Sequence, residues 1–220
     1  MGNSVRRFLS EANQQEIEAC VRAAESRTRG EFVVVVAPAS HHYPTAGLLG
    51  ATAFALPVAV ALSPMLGGVL WVGPSNLWVF LSVLIPLFIV FYEAVRRIPH
   101  LKRFFISAAE MEAEVREAAH VQFFRKGLHR TAEETGVLFY VSVFERRVWV
   151  IGDRGVNTRV SETYWADASA GIVQAIRAGR TAEGICRAVT ELAEVLEQSL
   201  PVRPLNPDEL KNVIIEGGSA

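Results

Sequence analysis

The sequence predicts one layered α/β domain, interrupted by a helical hairpin that is apolar and long enough to cross a membrane. Two observations predict this fold. Residues 43–92 contain no Asp, Glu, Lys, Arg or His. Helix-like and strand-like segments lie on both sides of this apolar run. Because the helix and strand before the run cannot bury a core alone, the two flanks must pack together as one domain.

The composition limits the class of protein. The 220 residues include 22 Lys and Arg against 23 Asp and Glu. This balance argues against a nucleic-acid-binding protein, which needs a basic face for phosphate contacts. Cys20 and Cys186 lie in predicted helices far apart in sequence, without metal-site spacing; a disulfide stays open, but free thiols are favoured. The first ten residues lack the apolar core of a signal peptide.

The apolar run fits two membrane helices, since one crossing needs about 20 residues. The predicted helices are Ala46–Trp71 and Leu77–Val95, joined by a turn at Gly73-Pro74-Ser75-Asn76. A charge near the bilayer centre costs about 2.5–3.5 kcal/mol, which explains the missing charges. The alternative is a buried soluble hairpin, but the rest of the chain offers too little mass to bury it.

The flanking charges predict the orientation. Arg96, Arg97, Lys102 and Arg103 follow the second helix, whereas the predicted turn has no positive charge. The positive-inside bias therefore places both hairpin ends, and both soluble flanks, in the cytoplasm. Residues 96–106 alternate bases with apolar side chains. They either lie along an anionic headgroup surface or form a stop-transfer flank and linker.

Before the run, Ser10 can cap a helix over 11–27. The continuous apolar strand Glu31–Ala37 is typical of a central strand covered on both faces. After the run, the pattern predicts a helix from Ser107 to about 126 and a hairpin of strands 137–143 and 148–151, in which Glu145 lies in an exposed turn. Helices 161–178 and 181–200 follow. The predicted divisions are a domain of residues 8–43 and 107–201, a membrane hairpin 44–95, a basic linker 96–106 and a flexible tail 202–220.

One loop is the candidate ligand site. Gly152, Asp153, Arg154 and Gly155 follow the last predicted strand, and ligands favour loops at strand ends. The Asp153 carboxylate, with backbone oxygens, suits a hard cation such as Ca²⁺ or Mg²⁺, and Arg154 suits a phosphate. The alternative is that these residues only build a turn. The loop has neither the lysine nor the glycine spacing of a nucleotide-binding loop.

Three blocks in this order resemble the TPM domain, also called TPM phosphatase. They are AESRTRGEFVVV at 24–35, TGVLFYVS at 135–142 and ERRVWVIGDRG at 145–155. The resemblance is closest to a bacterial branch with a membrane hairpin after the first strand, and it implies the bacterial inner membrane. It implies an α/β/α sandwich with a mixed sheet. Relatives often carry Asn or Asp where Thr135 stands, so one candidate metal ligand is missing here.

Three functions follow as hypotheses. The resemblance implies weak phosphatase activity, divalent-ion binding, or assistance in assembling or repairing membrane complexes. The first hypothesis is a non-enzymatic anchored module that binds partners or small ligands in membrane-protein assembly or maintenance. The second is a divalent-ion-dependent phosphatase that uses Asp153. The third is a structural subunit whose hairpin binds a membrane-protein partner, because Gly47, Gly50 and Ala53 permit close helix approach. A homo-oligomer stays open.

Overall fold

The computed structural model describes residues 8–71, 73, 76–131, 133–201 and 213–215. The chain divides into two compact units. The first, here called the sheet unit, consists of residues 1–41 and 112–220, and the second, the apolar unit, of residues 42–111. The described helices and strands, in chain order, are α1 Glu11–Glu25, β1 Glu31–Ala37, α2 Pro44–Val69, α3 Leu77–Arg97, α4 Pro99–Phe104, α5 Ala108–Arg125, β2 Gly136–Ser142, β3 Arg147–Gly152, α6 Arg154–Asn157, α7 Glu162–Arg177, α8 Thr181–Glu197 and β4 Val213–Ile215.

The sheet contains strands from both sides of the apolar run. Its order is β3-β2-β1-β4, with β1 parallel to β2 and to β4, and β2 antiparallel to β3. The register pairs Glu31 with Gly136 and Ala37 with Ser142. The predicted mixed sheet is therefore confirmed. The connection from β1 to β2 includes the whole apolar unit.

Helices cover both faces of the sheet. Strand side chains alternate between the faces, so even-numbered residues of β1 meet one helical layer and odd-numbered residues meet the other. Helices α1, α7 and α8 supply the first layer, and α5 supplies the second. This explains why every residue of β1 and β2 is buried, whereas β3 alternates between buried and half-buried. The predicted α/β/α sandwich and the predicted central strand are confirmed.

The C-terminal segment corrects one prediction. Residues 202–220 are predicted to be flexible, but Val213–Ile215 form β4 and pair with Val34–Val36 of β1. The three apolar β-branched residues suit a strand and pair with an edge of β1 that β2 leaves open. The rest of the tail, 202–212 and 216–220, lies outside the described residues.

In the apolar unit, small residues of α2 face α3, and most large residues of α2 are exposed. A Cβ atom on Gly47 would lie 2.9 Å from the Tyr92 ring, and one on Gly50 would lie 2.8 Å from Val95 Cγ2. These glycines therefore let α2 and α3 approach closely. Ala53 does not share this role, because it is exposed. The buried residues of α2 are all small: Ala46, Gly47, Gly50, Ala51, Ala55, Ala59, Ser63 and Gly67.

Both helices of the apolar unit are long and apolar enough to cross a membrane. Their bounds agree with the prediction to within two residues. Asn76 caps α3 by accepting a hydrogen bond from Trp78 N at 2.9 Å. Of the other residues in the predicted turn, Gly73 has a φ of 91°, and Pro74 and Ser75 lie outside the described residues.

Candidate functional site

The predicted loop lies at the end of the sheet where β3 finishes and β2 begins. Because these strands are antiparallel, Gly152 pairs with Val137, and Asp153 N donates to Gly136 O at 2.8 Å. The start of β1 lies at the same end, since Glu31 pairs with Gly136. Glu31 is buried there. The structure thus brings two acidic residues from separate strands to one end of the sheet.

Asp153 caps the four-residue helix α6. Its Oδ1 accepts from Arg154 N at 2.8 Å, and its carbonyl accepts from Val156 N at 3.0 Å and Asn157 N at 2.9 Å. These bonds satisfy amides at the start of the helix, which is the usual role of an N-cap aspartate. The other carboxylate oxygen, Oδ2, is buried and has no hydrogen-bond partner among the described residues. Asp153 thus has the predicted role in building the turn, and its Oδ2 atom remains as a hydrogen-bond acceptor that is unused within the described part of the chain.

The two glycines bring backbone segments together. A Cβ on Gly155 would lie 2.5 Å from Glu133 O and 2.6 Å from Glu134 O, and Gly155 N donates to Glu134 O at 2.9 Å. A Cβ on Gly152 would lie 2.7 Å from the Trp165 ring. Neither position tolerates a side chain without movement of its neighbours. Both glycines therefore have a packing role that is independent of any ligand.

One ion pair and one threonine connect the segments beside the loop. Arg29 pairs with Glu133, and Thr135 Oγ1 donates to Arg29 O at 2.8 Å. Thr135 N also donates to Thr131 Oγ1 at 2.9 Å. Thr135 thus holds the segments before β1 and β2 together. Arg154 is exposed.

A bound Ca²⁺ or Mg²⁺ requires several oxygen ligands. Among the described residues there is no group of three or more His, Cys, Asp or Glu side chains that could hold a metal ion. Asp153 Oδ2 is a single acceptor, and the Glu133 carboxylate is already paired with Arg29. The described side chains therefore do not fit an ion held by several carboxylates.

The opposite end of the sheet holds a buried carboxylate that sequence reasoning missed. Glu145 is 0% exposed, so the prediction of an exposed turn residue is wrong. Its Oε1 accepts from Ser40 N at 3.0 Å, and Ser142 Oγ donates to its Oε2. The cause is the turn after β2, which folds against the segment that leaves β1: Val143 N donates to Ala37 O at 3.0 Å. Glu145 therefore fastens the two parallel strands at their carboxyl ends.

The comparisons with known proteins agree with this architecture. Residues 104–195, which include β2, β3 and the Asp153 loop, match the family model of the TPM domain. The resemblance to the TPM family is confirmed. The TPM match ends before β4 and does not include β1, α2 or α3.

A solved structure has a similar fold over nearly the whole chain. It is the NMR structure of the BA42 protein from the psychrophilic bacterium Bizionia argentinensis, with a TM-score of 0.57 and 19% sequence identity. The similarity covers 96% of each chain. At this identity it establishes the fold alone. No curated protein sequence matches the chain.

Proposed function

We propose that this TPM protein is anchored in the bacterial inner membrane by α2 and α3, and that its sheet unit binds protein partners or small ligands in the cytoplasm. In this proposal it serves the assembly or maintenance of membrane proteins. The observation that carries the anchor is the exposure of α3. Val95 is the only buried residue of this helix, and Trp78 is 78% exposed. Such a continuous apolar surface suits hydrocarbon and not water.

The internal packing of the hairpin supports the same proposal. In water, a helix pair buries its large apolar residues. Here the small residues of α2 are buried and the large ones are exposed, which is the pattern of helices that associate in lipid. Pro57, Pro64 and Pro86 lie inside the helices, where membrane proteins tolerate proline.

Fixed positive charges support the cytoplasmic orientation. Arg96 and Arg97 lie in the last turn of α3 and pair with Glu93 at 2.8 and 3.1 Å. Lys102 Nζ donates to His42 O at 2.6 Å, immediately before α2. Within the apolar unit, a base beyond the end of α3 is thus held against the residues that precede α2. By the positive-inside rule, these charges support a cytoplasmic location for this end.

A binding role is preferred to catalysis because Gly152, Gly155 and one carboxylate oxygen of Asp153 are used to build the fold. Asp153 caps α6, and Gly155 contacts the carbonyls of Glu133 and Glu134. A catalytic group, in contrast, must be positioned against a reacting atom.

Cysteine labelling tests the anchor and its orientation. In a background with Cys20→Ser and Cys186→Ser, single cysteines would replace exposed Ser199 in the sheet unit and exposed Leu77 at the start of α3. We expect a membrane-impermeant maleimide to label S199C only in inverted vesicles and L77C only in right-side-out vesicles. Labelling of both cysteines from the same side would contradict the two-pass arrangement.

A hairpin exchange tests which unit binds partners. The full chain and a chain with an unrelated two-pass hairpin would be crosslinked in membranes and purified in detergent. We expect the same membrane-protein partner with both chains, since the sheet unit is unchanged. Loss of the partner only in the exchanged chain would assign binding to the hairpin, and no enriched partner with either chain would count against the proposal.

The second candidate is a divalent-ion-dependent phosphatase, and the buried Asp153 Oδ2 is the observation that favours it. The test uses Asp153→Asn, because asparagine keeps the N-cap acceptor but removes the carboxylate charge. If the ion binds only the folded state, a concentration of about 100 times Kd adds about 2.7 kcal/mol of stability. This gain, together with phosphate release, should occur in the wild type and be lost in D153N. Ion-independent stability in both proteins would remove this candidate.

A further inference from the structure

The two cysteines, 166 residues apart in sequence, meet between α1 and α8. Cys20 Sγ donates to Cys186 O at 3.4 Å, and Cys186 Sγ donates to Glu16 O at 3.8 Å. Glu16 lies one helical turn before Cys20 on α1. Each sulfur thus points across the interface to the other helix at the level of its partner cysteine.

We infer that Cys20 and Cys186 form a redox modification site, in which a hydroperoxide oxidises the pair to a disulfide. Both residues are free thiols in the structure, and both are half-buried. A small oxidant can therefore reach them, and the contact of each thiol with the other helix holds the two cysteines beside each other. Their packing neighbours are the buried residues of α1 and α8, which hold the two helices on one face of the sheet.

The electrostatics of the pair assign different roles to the two sulfurs. The interaction with the Cys186 side chain lowers the pKa of Cys20 to about 7; burial opposes this shift, and the Thr190 hydroxyl adds to it. The pKa of Cys186 is raised by the same interaction with Cys20 and by burial. The Glu16 carboxylate raises the pKa of both thiols. Since the thiolate is the reactive form, Cys20 is the sulfur that attacks the oxidant.

The chemistry balances in two steps. The Cys20 thiolate attacks one peroxide oxygen; an S–O bond forms, the O–O bond breaks, and the released alkoxide takes a proton to become an alcohol, or water for hydrogen peroxide. Cys20 is then a sulfenic acid. Cys186 next loses its proton and attacks Cys20 Sγ; an S–S bond forms, and the hydroxide leaves as water. A dithiol reductant reverses the process by exchange.

The disulfide would join two helices that flank the apolar unit in the chain. The segment after α1 is already tied to the end of α8, because Thr28 Oγ1 donates to Leu200 O at 2.9 Å and Arg29 N donates to the same carbonyl at 3.0 Å. The new bond would add a covalent link within this layer. Opening of α1 away from α8 would then require reduction.

The test uses the full chain in detergent and hydrogen peroxide as the oxidant. We expect both thiols to be lost together, the mass to fall by about 2 Da, and one Cys20–Cys186 peptide to appear within single chains. In Cys186→Ser, Cys20 should accumulate as a sulfenic acid that dimedone traps. In Cys20→Ser, thiol loss should slow by at least about tenfold, because the thiolate with the lowered pKa is absent.

Three results would overturn the inference. These are loss of only one thiol in the wild type, crosslinks only between different chains, or no thiol loss under conditions that oxidise free cysteine. The wild-type peptide map needs no variant, so the test stands even if a serine substitution disturbs folding. Thr190→Val removes the hydroxyl that lies 3.7 Å from Cys20 Sγ and helps to lower its pKa, so disulfide formation should become slower but reach the same extent.

Discussion

Leucine has opposite surroundings in the two units of this protein. In the sheet unit, Leu138 and Leu192 are 0% exposed, whereas in the apolar unit Leu48 and Leu56 are 52% and 44% exposed. The sheet unit buries large side chains between helices and strands, and water drives that burial. In the apolar unit, the buried residues of α2 are all small, and most of its large residues are exposed. Apolar composition alone therefore does not separate the two units; the direction in which these leucine side chains point does.

The largest expected difference comes from one substitution made in both units. Leu192→Ala removes a fully buried side chain from the sheet-unit core and should cost about 2–5 kcal/mol of unfolding free energy. Leu48→Ala removes an exposed side chain and should cost less than about 1 kcal/mol in detergent, where little packing is lost. Denaturant unfolding of the full chain, followed by near-ultraviolet circular dichroism, measures both. Equal losses would remove the distinction between the units.

The next effect concerns charge on an exposed apolar surface. Ile85 lies near the middle of α3 and is 56% exposed. Ile85→Arg should disfavour membrane insertion by about 2.5–3.5 kcal/mol, seen as a smaller membrane-integrated fraction. The matched change Val195→Arg, on the exposed surface of α8, should leave stability within about 0.5 kcal/mol. Normal insertion of I85R would indicate that this face of α3 meets water.

A smaller difference in stability is expected between alanine substitutions at two glycines of the sheet unit. A Cβ on Gly184 of α8 would lie 2.3 Å from Ala175 Cβ on α7, so Gly184→Ala should cost about 1–3 kcal/mol through overpacking. The nearest atom to a Cβ on Gly171 is Arg187 Nη2 at 4.0 Å. Gly171→Ala should therefore stabilise α7 by about 0.5–1 kcal/mol. Thermal unfolding of the two variants should show a loss of stability for G184A and a gain for G171A. A destabilised G171A would contradict the packing described for this layer.

The smallest effect is that of a surface ion pair. Arg27 donates to Glu197 through Nε at 3.1 Å and Nη2 at 2.6 Å, but both side chains are substantially exposed. Arg27→Ala should cost at most about 1 kcal/mol, and salt should reduce even that. Unfolding at low and high ionic strength checks this. A larger, salt-independent loss would mean that Arg27 contributes through packing.

The elements with local signals were predictable from the sequence. The continuous apolar run of β1 predicted a doubly covered strand, and residues 43–92 predicted two long apolar helices. What the sequence could not supply were pairings between distant segments. Glu145 meets Ser40 across 105 residues, and Cys20 meets Cys186 across 166. No sequence motif marks either pair, because the partners come together only when the chain folds.

The candidate loop was predictable in position but not in detail. A Gly-Asp-Arg-Gly sequence after a strand favours a turn and also fits a ligand site, and the sequence does not decide between them. The structure adds that Asp153 uses one carboxylate oxygen as a helix cap and buries the other. Strand β4 was missed for a different reason: three apolar residues in a polar tail are too short a signal, and their pairing with β1 depends on an edge that exists only in the folded sheet.

The central claim is that the outward-facing apolar residues of α2 and α3 meet lipid. Extraction of membranes with alkaline carbonate tests it most directly, because this treatment releases proteins held at the surface but not those that span the bilayer. We expect the full chain to stay in the membrane pellet and to dissolve only with detergent. Release of the intact, folded chain into the carbonate supernatant would contradict the account.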